Sequence, residues 1–178
     1  KRAGIQIPSF VHGGAQERKK RAGTENTAGI VGFGKAAELA GKNLEEHHRH
    51  ADSLRRMLWD RLSSEVPDVS LNGPADFTRR HPGNLNVSFS YVEGEAILLL
   101  LDSFGISVTT GSACSSGSLG TSHVLNAIDV PVTRANGAIR FTTGDFTTEE
   151  DIEYVVETVK KVIGRLRELS PVTGEEGW

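Results

Sequence analysis

A single cysteine, Cys114, occurs in 178 residues. That excludes an internal disulfide and fits a reducing compartment, so a cytoplasmic location is the expectation. Long hydrophobic runs are missing too. The longest, Ala96 to Leu101, is far too short to span a bilayer. The opening residues Lys1-Arg2-Ala3-Gly4-Ile5-Gln6-Ile7 carry no signal-peptide core. Nor is there an excess of one charge. Twenty Lys and Arg against 23 Asp and Glu give a net charge of -3, with the basic residues spread along the chain. Neither nucleic acid nor an anionic membrane is therefore an expected partner. No internal repeat or low-complexity segment is visible. An initiator Met is absent and the chain opens in a strand-like pattern, which reads as a fragment of a longer protein. What is present, 37% hydrophobic and 24% charged residues, describes a globular chain with one compact core and a piece of a second.

Along the chain, Ile5 to Ile7 alternate as a short strand does, and a Gly-rich basic loop follows from His12 to Thr24. Glu25 to about Ala40 has a helical pattern rich in small residues. A second helix is expected from Asn43, a good N-cap, with Leu44, Ala51, Leu54, Leu58 and Leu62 on one face and Pro67 as its stop. Val69 to Leu71 and Leu85 to Phe89 read as strands, and Asn72-Gly73-Pro74 as a turn. Glu95 to Ser103 reads as a buried helix ended by Gly105, and Ile106 to Val108 as a strand leading into the cysteine loop. Ser122 is placed to cap a short helix through Ile128, and Ala138 to Phe141 is a further strand. Thr147-Thr148-Glu149-Glu150 reads as a capping box with Thr147 at the N-cap. Ile152, Val155, Val156, Val159, Ile163, Leu166 and Leu169 then form one long amphipathic stripe, with Pro171 beyond it. Together these describe a small α+β layer behind one long helix.

Three positions carry candidate chemistry. Cys114 lies in Gly111-Ser112-Ala113-Cys114-Ser115-Ser116-Gly117, small and polar surroundings unlike those of an inert core cysteine. A thiolate there is a nucleophile if a neighbour lowers its pKa; the other reading is an incidental surface cysteine. A papain-like site needs a base histidine, and the sequence places none of the six beside Cys114. Arg140, in Ala138-Ile139-Arg140-Phe141-Thr142, should point away from Ile139 and Phe141. Its planar fork suits a carboxylate, while the alternative is a solvated edge-strand charge. Arg21-Ala22-Gly23-Thr24 runs into a helix start, where backbone amides, a hydroxyl and a guanidinium suit a phosphate; Thr24 is otherwise only an N-cap. His47, His48 and His50 lack the carboxylate or Cys pattern that completes a metal site, so no metal is expected and they read as a solvated face.

These segments, taken together, resemble the pyridoxal-phosphate (PLP) dependent cysteine desulfurases of the NifS/IscS type. The resemblance rests on His12-Gly13-Gly14, Gln16-Glu17-Arg18, Arg21-Ala22-Gly23-Thr24-Glu25-Asn26 and Ile30-Val31-Gly32-Phe33-Gly34. It continues through Asn84-Leu85-Asn86-Val87-Ser88-Phe89, Tyr91-Val92-Glu93-Gly94-Glu95 and Gly111 to Ser116. Ser122-His123-Val124-Leu125, Ile139-Arg140-Phe141, Phe146 to Ile152 and Ile163 to Arg167 complete it in family order over nearly the whole chain.

The resemblance implies an α/β fold, the C-terminal part of a fold-type I PLP-dependent transferase, normally a homodimer. Residues 1–34 would end the large PLP-binding domain, and 35–178 would be a connecting helix and a small α+β domain bearing the cysteine loop. It implies removal of sulfur from L-cysteine, giving L-alanine and a persulfide passed to an iron–sulfur scaffold or another sulfur-acceptor protein. Position by position, Cys114 matches the persulfide cysteine, Arg140 the arginine that holds the substrate carboxylate, and Thr24 the residue that reaches the PLP phosphate across the dimer interface. The family's PLP lysine, pyridine aspartate and stacking histidine would lie upstream of Lys1, so the chain alone is expected to be inactive. A sulfur relay also requires movement, so a mobile loop is expected from about Thr109 to Gly120. The competing classes are a non-catalytic sulfur-acceptor or docking module and another fold-type I enzyme, the latter having no need of Cys114.

Overall fold

The computed structural model describes residues 4, 8–110 and 122–170. The backbone divides into two units, Lys1–Leu44 and Glu45–Trp178. Helix α1, Thr27–Glu65, runs unbroken from the first into the second. Two separate helices were expected here, and the structure shows one. Asn43 starts no new helix: it lies inside the run, because Gly41 costs only about 1 kcal/mol of helix propensity and no proline intervenes. Lys35 and Lys42 both pair with Glu38 along the exposed side of this stretch. The helix starts on Asn26, whose Oδ1 accepts the Gly29 N–H at 3.0 Å.

In the second unit, β1 (Val69–Leu71), β2 (Asn84–Phe89), β3 (Thr109–Thr110) and β4 (Ala138–Thr142) form an antiparallel sheet in the order β1-β2-β4-β3. Helix α2 (Gly94–Ser103) precedes β3, short helices α3 (His123–Ala127) and α4 (Val132–Ala135) precede β4, and α5 (Glu149–Leu169) follows it. The alternation of β2 and β4 sends Leu85, Val87, Phe89, Ile139 and Phe141 to one side. There they join Leu54, Leu58 and Leu62 of α1, Ile97 and Leu101 of α2, and Ile152, Val156, Val159 and Ile163 of α5 in one core. A smaller cluster of Leu125, Ala135 and Ala138, with Val130 against it, binds α3 and α4 to the start of β4. Gly137, just before β4, is required by a close approach: a Cβ there would lie 2.0 Å from the Phe89 carbonyl oxygen.

Two boundaries in this unit differ from the sequence expectation, each for a local reason. The strand expected at Ile106 to Val108 forms instead at Thr109–Thr110. Gly105 takes φ 77°, and the N–H groups of Gly105 and Ile106 return to the Asp102 and Leu101 carbonyls. This Schellman closure of α2 uses Ile106 as its apolar anchor rather than as a strand residue. The capping box of α5 lies one residue later than expected, between Thr148 and Asp151. Thr148 Oγ1 accepts from the Asp151 N–H at 3.1 Å, and Asp151 Oδ2 from the Thr148 N–H at 2.9 Å. Thr147 is engaged in the preceding turn, where its hydroxyl accepts the Gly144 N–H. Ser122 occupies the N-cap of α3 without a side-chain cap bond. The strand expected at Ile5 to Ile7, and the loop expected to be mobile beyond Thr110, lie outside the described residues.

Candidate active site

The face of the sheet opposite the core is polar, because period-two alternation places Asn84, Asn86, Arg140 and Thr142 there. Arg140 is exposed, as its position between Ile139 and Phe141 requires. It is not an edge-strand charge. Strand β4 is interior, and Arg140 pairs in register with Asn86 of β2 on one side and Thr109 of β3 on the other. Its guanidinium has no hydrogen bond or ion pair among the described residues.

Arg140 opens into a cleft of about 350 Å³. Asn84 and Asn86 form its floor, Asn72, Gly73 and Pro74 one wall, Arg79, Arg80 and His81 another, and Val124, Leu125 and Ile128 an apolar side. Thr110 and Ser122, the described residues on either side of 111–121, also line it. Cys114 itself lies outside the described residues, four positions beyond Thr110 in sequence.

The cleft favours an anion. Its described lining holds three arginines and no carboxylate. Arg80 is tied to protein, its Nε and Nη2 donating to the carbonyls of Pro74 and Asn72 at 2.5 and 2.7 Å. Burial, reinforced by the like charge of Arg55, pushes the Arg80 guanidinium below its ordinary value. No acid among the described residues pairs with it, so its charge is felt in the cleft. Arg55, 1% exposed, lies behind this wall, bonded to Asp52 and to the His81 and Phe77 carbonyls, with its guanidinium 4.8 Å from the Phe77 ring centre. His81 Nδ1 accepts the Gly83 N–H at 3.2 Å, which leaves Nε2 as the ring's donor.

Thr24 belongs to the other unit. It is exposed, and its hydroxyl has no partner among the described residues. Asn26 supplies the cap of α1, so the N-cap reading of Thr24 does not hold. Gly23 takes φ 94°, and Arg21 Nη1 donates to the Gly23 and Thr24 carbonyls at 3.0 Å each. This bend presents a free hydroxyl and a guanidinium shortly before the positive end of a long helix, an arrangement that fits a phosphate group. His12 and Arg21 line a separate polar hollow of about 200 Å³ in the same unit, with Lys19 and Ser9.

Two of the three histidines of α1 have protein partners: His47 Nδ1 lies 3.3 Å from Asp145 Oδ1, and His50 Nε2 donates to the Thr147 carbonyl at 2.9 Å. Among the described residues no group of three His, Cys, Asp or Glu side chains could hold a metal. Asn72, Asn86, Arg80 and His81 were not singled out from sequence. The first was read as part of a turn and the second as one polar position of a strand.

A small antiparallel sheet backed by α2, α5 and the end of α1, with a cationic cleft on its open face, is the fold-type I architecture of the NifS-like structures to which the chain is similar. The family model for class-V aminotransferases matches residues 5–155, and the chain belongs to that family. Among curated relatives, the cysteine desulfurase IscS of Clostridium botulinum (strain Hall) is 51% identical over 169 residues, 95% of this chain and 43% of its own length. The cysteine desulfurase IscS of Dictyoglomus turgidum is 49% identical over 174 residues, 98% of this chain and 44% of its own. Among solved structures, a NifS-like protein superposes with a TM-score of 0.78 at 33% identity, over 93% of this chain and 41% of that one. The NifS-like protein of Rickettsia africae gives 0.74 at 29% identity, over 90% and 41%. The chain thus spans less than half the length of the relatives it matches.

Proposed function

We propose that this chain works as the C-terminal part of a PLP-dependent cysteine desulfurase. The observation that carries the reading is Arg140, a guanidinium without a partner among the described residues, in a cleft whose described lining holds no acid and includes both flanks of the Cys114 segment. The names of the relatives supply the substrate. Residues 1–34 then end the large domain, and residues 35–178 form the connecting helix and small domain. A homodimer is the working form, in the cytoplasm, serving an iron–sulfur scaffold or other sulfur-acceptor protein.

In this reading Arg140 holds the α-carboxylate of L-cysteine through a bidentate contact. Thr24 holds the phosphate of PLP, and the bend at Gly23 keeps its hydroxyl clear of the helix cap. PLP, when bound, supplies an electron sink for the substrate carbon. The Cys114 thiolate attacks the substrate sulfur: an S–S bond forms, the substrate carbon–sulfur bond breaks, and a proton taken up at that carbon completes alanine.

The test is production of alanine and of a Cys114 persulfide from L-cysteine by the full-length protein. In this reading none of the lysines of residues 1–178 is the one that holds PLP, so these residues by themselves should release no alanine and develop no visible absorbance on adding PLP. A full-length protein that neither absorbs in the visible nor releases alanine would favour the acceptor-module reading.

A further inference from the structure

Behind Arg140 the polar face of the sheet carries a chain of amide contacts that the proposed reaction does not use. Asn72, just past the end of β1, is 3% exposed. Its Oδ1 accepts from Arg134 Nη2 at 3.3 Å. Its Nδ2 donates to Asn86 Oδ1 at 2.7 Å and to Ser88 Oγ at 2.8 Å. Its backbone is held as well, with its N–H on the Asn86 carbonyl at 3.0 Å and its own carbonyl accepting from Arg80 at 2.7 Å.

Donor and acceptor chemistry fixes the direction of this chain. A guanidinium only donates, so the Asn72 oxygen must face Arg134 and its nitrogen must face Asn86. Asn86 must then turn its oxygen to Asn72, because the reverse would set two NH2 groups against each other. Asn86 Nδ2 is thereby left over, and it has no partner among the described residues. Asn86 is the register partner of Arg140 across β2 and β4, and both line the same cleft.

The geometry points to Asn86 Nδ2 as a second donor to the carboxylate that Arg140 binds, with Asn72 and Arg134 as positioning residues that set which way the amide faces. The inference rests on the carboxylate reading of Arg140 given above. A carboxylate is acceptor-only at both oxygens, so it satisfies a guanidinium and an adjacent amide N–H together. A carboxamide at the same place would bring its own NH2 against that of Asn86. The pair therefore selects a free carboxylate over an amide, which a guanidinium alone does less sharply.

The test uses the full-length enzyme with Asn86→Ala, Asn86→Asp, Arg134→Met and, as reference, Arg140→Lys. Asn86→Ala should raise KM for L-cysteine about tenfold, with kcat within about twofold, as expected for loss of one hydrogen bond to a charged group. Asn86→Asp, which sets an oxygen against the carboxylate, should raise it further, and Arg134→Met less, since it frees the amide without removing it. Calorimetric titration with L-alanine, a carboxylate that transfers no sulfur, should rank the dissociation constants in the same order. If Asn86→Asp does not fold, the other two variants and the L-alanine titration decide. Wild-type values in Asn86→Ala, where Arg140→Lys raises KM, would overturn the role of Asn86 and leave the carboxylate reading standing. Wild-type values in Arg140→Lys as well would overturn both. A lower melting temperature with unchanged KM would make the amide chain structural only.

Discussion

Asn26 Oδ1 accepts the N–H of Gly29 at 3.0 Å, so α1 is capped two residues after Thr24. Cap and phosphate roles are thus separable by mutation. Asn26→Ala should cost about 1 kcal/mol of stability, the ordinary worth of a side-chain N-cap. Thr24→Val should leave the melting temperature of the chain unchanged and lower PLP retention in the full-length dimer. Equal PLP content in the valine variant would reject the phosphate role.

Arg140→Lys keeps the charge and removes the fork. In the full-length enzyme KM for L-cysteine should rise by about tenfold or more, because a point ammonium cannot engage both carboxylate oxygens in one plane. Steady-state kinetics decide this, and an unchanged kcat/KM would reduce Arg140 to a solvated charge.

Cys114→Ser should abolish persulfide formation while leaving the visible absorbance of bound PLP in place, since a hydroxyl does not accept the sulfur. Non-reducing mass spectrometry after incubation with sulfur-labelled L-cysteine locates the label. Label held by the serine variant would show that another group receives it.

Glu65, near the end of α1, is paired with Arg61 and Lys160, which lower its pKa from 4.5 to about 2, Arg61 first. A depressed carboxylate adds stability above its unfolded value and loses it as pH falls toward the folded one. The melting temperature of wild type should therefore exceed that of Glu65→Gln at neutral pH. The gap should close between pH 4.5 and about 2. All three side chains are partly solvated, so salt should narrow the gap as well. A gap independent of pH would remove the ion pairs as its cause.

Gly137→Ala tests the packing that sets the start of β4. Its methyl group would lie 2.0 Å from the Phe89 carbonyl oxygen, a backbone atom that cannot swing aside. A loss on the order of 3 kcal/mol or more is expected, at the upper end for single substitutions. A denaturant midpoint near wild type would show that β2 and β4 shift apart without cost.

Much of the scaffold was legible because its signals are periodic and local. Leu85, Val87 and Phe89 announced β2, Ile139 and Phe141 announced the direction of Arg140, and the stripe from Ile152 to Leu169 announced α5. The length of α1 was not legible. Gly41 and Asn43 are weak helix formers, and their local preference is overridden along the long helix that flanks them. The anion cleft was legible only in Arg140. Asn72 looks like any turn asparagine until β1 and β2 pair and bring Asn86 and Ser88 to its amide. Contacts made across strands far apart in sequence leave no spacing to read.

An interior position for β4 also ties recognition to folding. Both edges of the strand that carries Arg140 are engaged, by β2 and by β3, so the guanidinium is mounted on an interior strand, the kind of element expected to open only with the whole unit. A ligand that binds it binds the native state alone. By mass action such a ligand raises the unfolding free energy of the whole unit, by about 2.7 kcal/mol at a hundred times its dissociation constant. The melting temperature of Glu45–Trp178 is thus itself a meter of what occupies the cleft.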